Sequence, residues 1–207
     1  MDTKELIRNL LSRIEDKKTF TIGIYGHGAS GKTTFAKALV QTLGAERVNL
    51  LETDPYIISG EKRSSVYPKN NDKQKVTACM AIAHECESLR RDILSLKSGL
   101  DIMTIDTFYS PSKRLEANKP ILIVEGMSVG FIEKSVFDLL ICFYTDDETE
   151  LSRRLIRDTT ERGRSSEFIR KTSKSRRAQY YDYYKWTEDK ADILVRQTMT
   201  GSIIEQK

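Results

Sequence analysis

No apolar run in the chain approaches the roughly 20 residues that a membrane-crossing helix needs, so no membrane partner is expected. The opening residues, Met1-Asp2-Thr3-Lys4-Glu5, lack the basic-then-apolar-then-small order of a secretory signal. Cysteine is scarce. Cys79, Cys86 and Cys142 have no metal-ligand spacing and are odd in number, which reads as reduced, buried thiols in a cytoplasmic protein. Internal repeats, low-complexity tracts and inter-domain linkers are absent too, so residues 1–207 read as one domain, long enough to bury a real core.

What is present is unevenly distributed. The net charge is only +4, yet residues 151–180 hold ten Arg or Lys against Asp158, Glu161 and Glu167. A nucleic-acid surface spreads basic residues over a face. Concentration in one segment points instead to a local anionic partner such as phosphates, and no nucleic acid is expected.

The stretch that organises the chain is Gly26-His27-Gly28-Ala29-Ser30-Gly31-Lys32-Thr33-Thr34. It fits G-x-x-x-x-G-K-[ST], with a β-prone run (Phe20 to Tyr25) before it and a helix-forming run (Thr34 to Val40) after it. Gly26, Gly28 and Gly31 allow backbone angles that turn successive N–H groups toward anionic oxygens, and the helix start adds its positive field. Lys32 is placed for the β- and γ-phosphates and the Thr33 hydroxyl for Mg²⁺. The chain therefore reads as a binder of a nucleoside triphosphate.

In order, the pattern predicts an amphipathic helix over 3–16 with Leu6, Leu10, Leu11 and Ile14 on one face, then the first strand and a helix closed by Gly44. A strand over 47–52 delivers Asp54, and residues 57–72 read as a loop. A long helix over 73–98, carrying His84 as a packing residue, precedes a short strand over 100–105 and a loop over 110–114. Ile121 to Val124 is a buried parallel strand ending in Glu125, the position of an acid that organises Mg²⁺ in phosphate-loop enzymes. The strand 139–144 leads to a capping box, Thr145-x-x-Glu148, and a helix with Leu151, Leu155 and Ile156 inward and Arg153, Arg154 and Arg157 outward. Gly163 hinges a basic turn before a helix from Ser166. Tyr180, Tyr181, Tyr183, Tyr184 and Trp186 read as packing, and 191–195 as the last strand. Alternating strands and helices give a doubly wound α/β sandwich.

These residues together resemble the uridine kinase/phosphoribulokinase family of P-loop kinases. The resemblance spans nearly the whole chain, through Gly26–Thr34, Asp54 with Tyr56, Ile123-Val124-Glu125-Gly126, Leu151 to Asp158, Glu161-Arg162-Gly163-Arg164 and Lys190-Ala191-Asp192-Ile193. It implies an α/β P-loop NTPase three-layer sandwich, with a mainly parallel sheet and a mobile Arg-rich lid over about 153–177. It also implies ATP and Mg²⁺, with Asp54 as catalytic base near the metal and Glu125 holding it. Arg154, Arg157, Arg162 and Arg164 become lid arginines that embrace the phosphates and the acceptor. The departures fall on the acceptor side: Ile105-Asp106 replaces a Tyr-Asp pair, Pro111 stands where a His belongs, and no His-Pro-Asp occurs among 73–88.

The expectation is an ATP-dependent kinase of a small-molecule hydroxyl, a nucleoside first, with pantothenate-like, sugar-phosphate or nicotinamide-riboside-like acceptors as alternatives. A homo-oligomer is left open. A GTPase switch needs D-x-x-G, which the chain lacks, and Asn118-Lys119-Pro120-Ile121 misses the last Asp of N-K-x-D. A non-catalytic nucleotide scaffold is opposed by the presence of both Asp54 and Glu125.

Overall fold

The computed structural model describes residues 2–15, 17–67 and 75–206. A six-stranded sheet runs in the order β2-β5-β1-β6-β7-β8. Its strands are β1 (Phe20–Gly26), β2 (Val48–Glu52), β5 (Ile121–Glu125), β6 (Leu139–Thr145), β7 (Ile193–Gln197) and β8 (Ser202–Gln206). Every pairing is parallel except β7 with β8.

Strand alternation divides the core into two layers. Ile22, Ile24, Ile123, Ile141 and Phe143 face α1 (Thr3–Ile14) and α2 (Lys32–Leu43), where Leu6, Leu10, Phe35 and Leu39 meet them. Tyr25, Leu122, Val124, Leu140 and Cys142 face the other way, onto Leu89 and Ile93 of α4 (Cys86–Lys97) and Tyr180 and Tyr184 at the end of α6 (Ser166–Tyr183). Each fully buried Leu or Ile contributes about 1.5–3 kcal/mol, so the apolar runs of β1, β5 and β6 fix the sheet between its helices. The result is the expected α/β P-loop sandwich.

Several local expectations are corrected. The helix predicted over 73–98 begins only at Cys86; 68–74 lie outside the described residues, and 75–85 form an irregular wall with one 3-10 turn at Ala81–Ala83. That wall is held by backbone bonds, Ile58 N–H to Ala83 O at 2.9 Å and Glu85 N–H to Tyr56 O at 2.8 Å. His84 is on no helix: it is buried, with ring contacts to Ser128 Oγ and Ala78 O, both at 2.8 Å. The expected loop after β2 contains a short α3 (Gly60–Ser64). The strand over 100–105 shrinks to β3 (Ile102–Met103), paired with β4 (Arg114–Leu115), so Arg114 leaves the predicted loop.

On α5 (Asp147–Thr160), Asp146 is the N-cap, its carboxylate accepting from Thr149 N–H at 2.8 Å, and Thr145 is the last residue of β6. The apolar-inward prediction for this helix fails at Ile156, while Leu151 and Leu155 are half-buried. Ile156 is 67% exposed, while Glu150 and Asp158 are buried. The inward face is polar because arginines converge there. The sheet also continues past residue 195 into the antiparallel edge strand β8.

Candidate active site

The phosphate loop joins β1 to α2. Gly31 takes φ +93° and offers no side-chain cap to α2, so that helix start presents N–H groups free for an anion. Gly26 is at φ +143°, and a Cβ there would lie 1.9 Å from Phe143 O. The third left-handed residue is not Gly28, as expected, but Ala29 at φ 65°. At Gly28 the movable Arg154 guanidinium lies against the backbone, with Nη2 2.5 Å from where a Cβ would be. Ser30 Oγ is buried without a hydrogen-bond partner among the described residues.

His27 fixes the loop from inside. Thr145 N–H donates to its Nε2 at 2.9 Å, which puts the ring proton on Nδ1, 2.9 Å from Gly28 O and 3.4 Å from Glu150 Oε2. Burial drives its pKa down to about 4, so the ring is neutral. Glu150 also accepts from Arg154 Nε at 2.6 Å and Arg177 Nη1 at 2.8 Å. Burial opposes the Glu150 charge, but His27, Arg154 and Arg177 hold its carboxyl below the ordinary range.

Beyond the carboxyl ends of β2 and β5 lies a compact polar group. Lys32 Nζ sits 3.9 Å from Glu125 Oε1, and the Thr33 hydroxyl donates to the same oxygen at 3.1 Å. Burial lowers the Lys32 pKa and raises that of Glu125, each partly countered by the other. Gly126 lets the end of β2 approach: a Cβ there would meet Thr53 Oγ1 at 2.1 Å, and Thr53 N–H reaches Glu125 O at 2.8 Å. This approach carries Asp54 toward Glu125. Asp54 opens a 3-10 turn, Asp54–Tyr56, in place of the extended conformation that a following proline favours. Its carbonyl accepts from Tyr109 OH at 3.0 Å.

Two cavities meet here. The larger, ≈ 790 Å³, runs between α1, α2 and the end of β7. The smaller, ≈ 400 Å³, is walled by α3, residues 75–78 and α6. Lys32, Thr33, Asp54, Arg157 and Arg162 line both. Over them, Asp158 gathers Arg157 at 2.7 Å, Arg164 at 3.4 Å, Arg162 at 3.7 Å and Arg154 at 3.9 Å. Gly163, at φ +60°, makes the turn that brings Arg162 and Arg164 back onto Asp158.

The structure therefore brings together Gly26 to Thr34, Asp54, Glu125, Arg154, Arg157, Arg162 and Arg164. Sequence reasoning missed His27 as an internal brace, the buried anchors Glu150 and Asp158, and Arg63, Arg176 and Arg177. The excess of basic residues in 151–180 was a signal for the last two. No signal marked Glu150, which reads as an ordinary acid in the first turn of a helix.

Fold and site define an ATP-dependent kinase of a small molecule. A sequence profile of the Phosphoribulokinase / Uridine kinase family matches residues 21–203. The chain belongs to that family. Among its relatives, the uridine kinase of Lactococcus lactis subsp. cremoris is 27% identical over 195 residues, covering 90% of this chain and 92% of that protein. Uridine-cytidine kinase B of Dictyostelium discoideum is 30% identical over 190 residues, covering 86% and 75%. The solved phosphoribulokinase of Rhodobacter spheroides superposes with a TM-score of 0.62 at 16% identity, covering 87% of this chain and 71% of that one, a likeness of fold alone. Among the described residues, no helix is long and apolar enough to cross a membrane.

Proposed function

We propose that the protein transfers the γ-phosphoryl group of ATP, with Mg²⁺, to a hydroxyl of a small acceptor bound in the smaller cavity. The observation that carries this reading is the position of Asp54. It lies where the two cavities meet, across from Lys32, Thr33 and Glu125. The loop N–H groups and the start of α2 hold phosphates, and the partnerless Ser30 hydroxyl fits a loop built around such oxygens. Glu125 and the Thr33 hydroxyl would hold Mg²⁺. Both are hard oxygen donors, and a divalent cation would offset the burial that disfavours the Glu125 charge. Among the described residues no three His, Cys, Asp or Glu form a metal cage, in keeping with an ion that retains water and phosphate ligands. Bound there, Mg²⁺ neutralises charge on the phosphates.

In the step itself, the acceptor oxygen bonds the γ-phosphorus as the bond from that phosphorus to the bridging oxygen breaks. Asp54 accepts the hydroxyl proton, and ADP leaves. Lys32, Arg157, Arg162 and Arg164 stabilise the charge in flight. Arg154, packed on Gly28, secures the phosphate loop. Residues 153–177 act as a lid over the bound nucleotide.

The names of the relatives make uridine and cytidine the first acceptors to assay, in the cytoplasm that a soluble kinase of this family implies. The test is acceptor-dependent ADP release by the wild type and by Lys32→Ala. The variant should fold, lose transfer and bind ATP weakly, because Lys32 is a point charge on the phosphates. Wild-type ATP affinity in that variant would refute the assignment.

A further inference from the structure

The smaller cavity carries more positive charge than a nucleotide site needs. Four guanidiniums already converge on Asp158, and Lys32 faces Glu125. Arg63, Lys75 and Arg176 are additional. All three line the smaller cavity and none lines the larger one beside α1 and α2. None forms a salt bridge with a described carboxylate; the cavity's own acids are Glu125, paired with Lys32, and Asp54, the base for the acceptor hydroxyl.

Their convergence is built in. Arg63 donates from Nε to Ile58 O at 2.7 Å and from Nη1 to Val76 O at 3.4 Å, so it grips the wall next to Lys75. Gln179 on α6 donates to Lys75 O at 2.9 Å and accepts from the Thr77 hydroxyl. Arg176 lies one helical turn before Gln179 and comes to the same wall. Burial, with Arg154 and Arg164 nearby, pulls the Arg176 pKa down to about 10. Asp158 and Glu150 offset this only in part, and neither lies within salt-bridge distance of Arg176.

Resting on the kinase reading above, we infer that the acceptor carries an anionic group of its own, a phosphate ester or a carboxylate. Arg63, Lys75 and Arg176 receive it, while the acceptor hydroxyl points to Asp54. A neutral nucleoside would bring these three side chains no anion, in a cavity whose wall also includes Ile57, Val76, Ala78, Met127 and Phe168. Arg63 and Arg176 are half-buried and Lys75 is exposed, so a bound acceptor would cover them further. Covering cations without supplying an anion is costly, which makes the charge a device for selecting the acceptor.

The test uses the whole chain and probe pairs that differ in charge: D-ribose with D-ribose 5-phosphate, and glycerol with D-glycerate. Binding is measured calorimetrically on protein saturated with a non-hydrolysable ATP analogue and Mg²⁺, and ADP release is recorded with ATP. The charged member of one pair should bind at least about tenfold more tightly than its neutral twin, and added salt should erode that advantage. The pair that responds identifies phosphate or carboxylate. Arg176→Gln should weaken the charged probe about tenfold and the ATP analogue less than about threefold. Arg176→Lys should recover part of the loss, and thermal melts establish that both variants fold. Equal binding of charged and neutral twins, uridine turned over faster than every charged probe, or unchanged charged-probe binding in Arg176→Gln overturns the inference. Failure of the ATP analogue to bind overturns the kinase reading as well, and so separates the two.

Discussion

Asp158→Asn removes the one carboxylate that four arginines share. Asp158 is 1% exposed, and its nearest partner, Arg157, lies at 2.7 Å. Breaking a fully buried ion pair costs about 3–5 kcal/mol. Here the four arginine side chains are 13–44% exposed, so solvent screens part of the loss. Asparagine still accepts one N–H from Arg157. The expected destabilisation is therefore about 2–3 kcal/mol in urea unfolding at neutral pH. Added pyrophosphate should return part of it, because an anion can replace the carboxylate among the guanidiniums. Burial works against the Asp158 charge, but the bond from Arg157 and the field of Arg162 and Arg154 outweigh it and depress the folded pKa. The contribution is then complete above the ordinary carboxylate pKa, near pH 4, and is lost as pH falls below it. Wild type and variant should converge in acid. A loss under about 0.5 kcal/mol, or one indifferent to pyrophosphate, would refute Asp158 as the organiser of the arginines.

Two further outcomes are expected. His27 and His84 both have folded pKa values lowered from 6.5 to about 4, so the unfolded chain binds more protons between those values and stability should fall as pH drops through that window. Each contributes up to about 3 kcal/mol, and a urea series in which His27→Gln plus His84→Gln kept the full acid slope would contradict the assignment. Hydrogen exchange across 153–177 should slow when an ATP analogue and Mg²⁺ are added, since an anion relieves repulsion among the gathered arginines. Unchanged exchange there would dispose of the lid.

Much of this was legible in the sequence, because apolar runs and glycine spacing report the backbone directly. β1, β5 and β6 are mainly apolar segments, Gly26 and the Glu125-Gly126 pair mark close approaches, and Gly31 marks a left-handed turn. What failed is what depends on long-range partners. The stretch 75–85 has helical composition but is pulled into a wall by bonds to Tyr56 and Ile58. Ile156 looks inward by periodicity, yet the arginines of the neighbouring turn and α6 recruit the opposite, acidic face of α5. Gly28 signalled a positive φ, yet it is Ala29 that takes one, and the Arg154 guanidinium lies against Gly28. Buried acids such as Glu150 and Asp158 cannot be told from surface acids until their guanidinium partners are in place.

Phosphoryl transfer to a hydroxyl at Asp54 is the central claim, and Asp54→Asn tests it most directly. Asparagine keeps the size of the side chain and removes the charge and the base. With acceptor, ATP and Mg²⁺, turnover should fall on the order of a hundredfold or more while ATP affinity and stability stay near wild type. A fall of less than about tenfold, worth under ~1.4 kcal/mol, would mean that Asp54 only shapes the turn after β2 and that the mechanism is wrong.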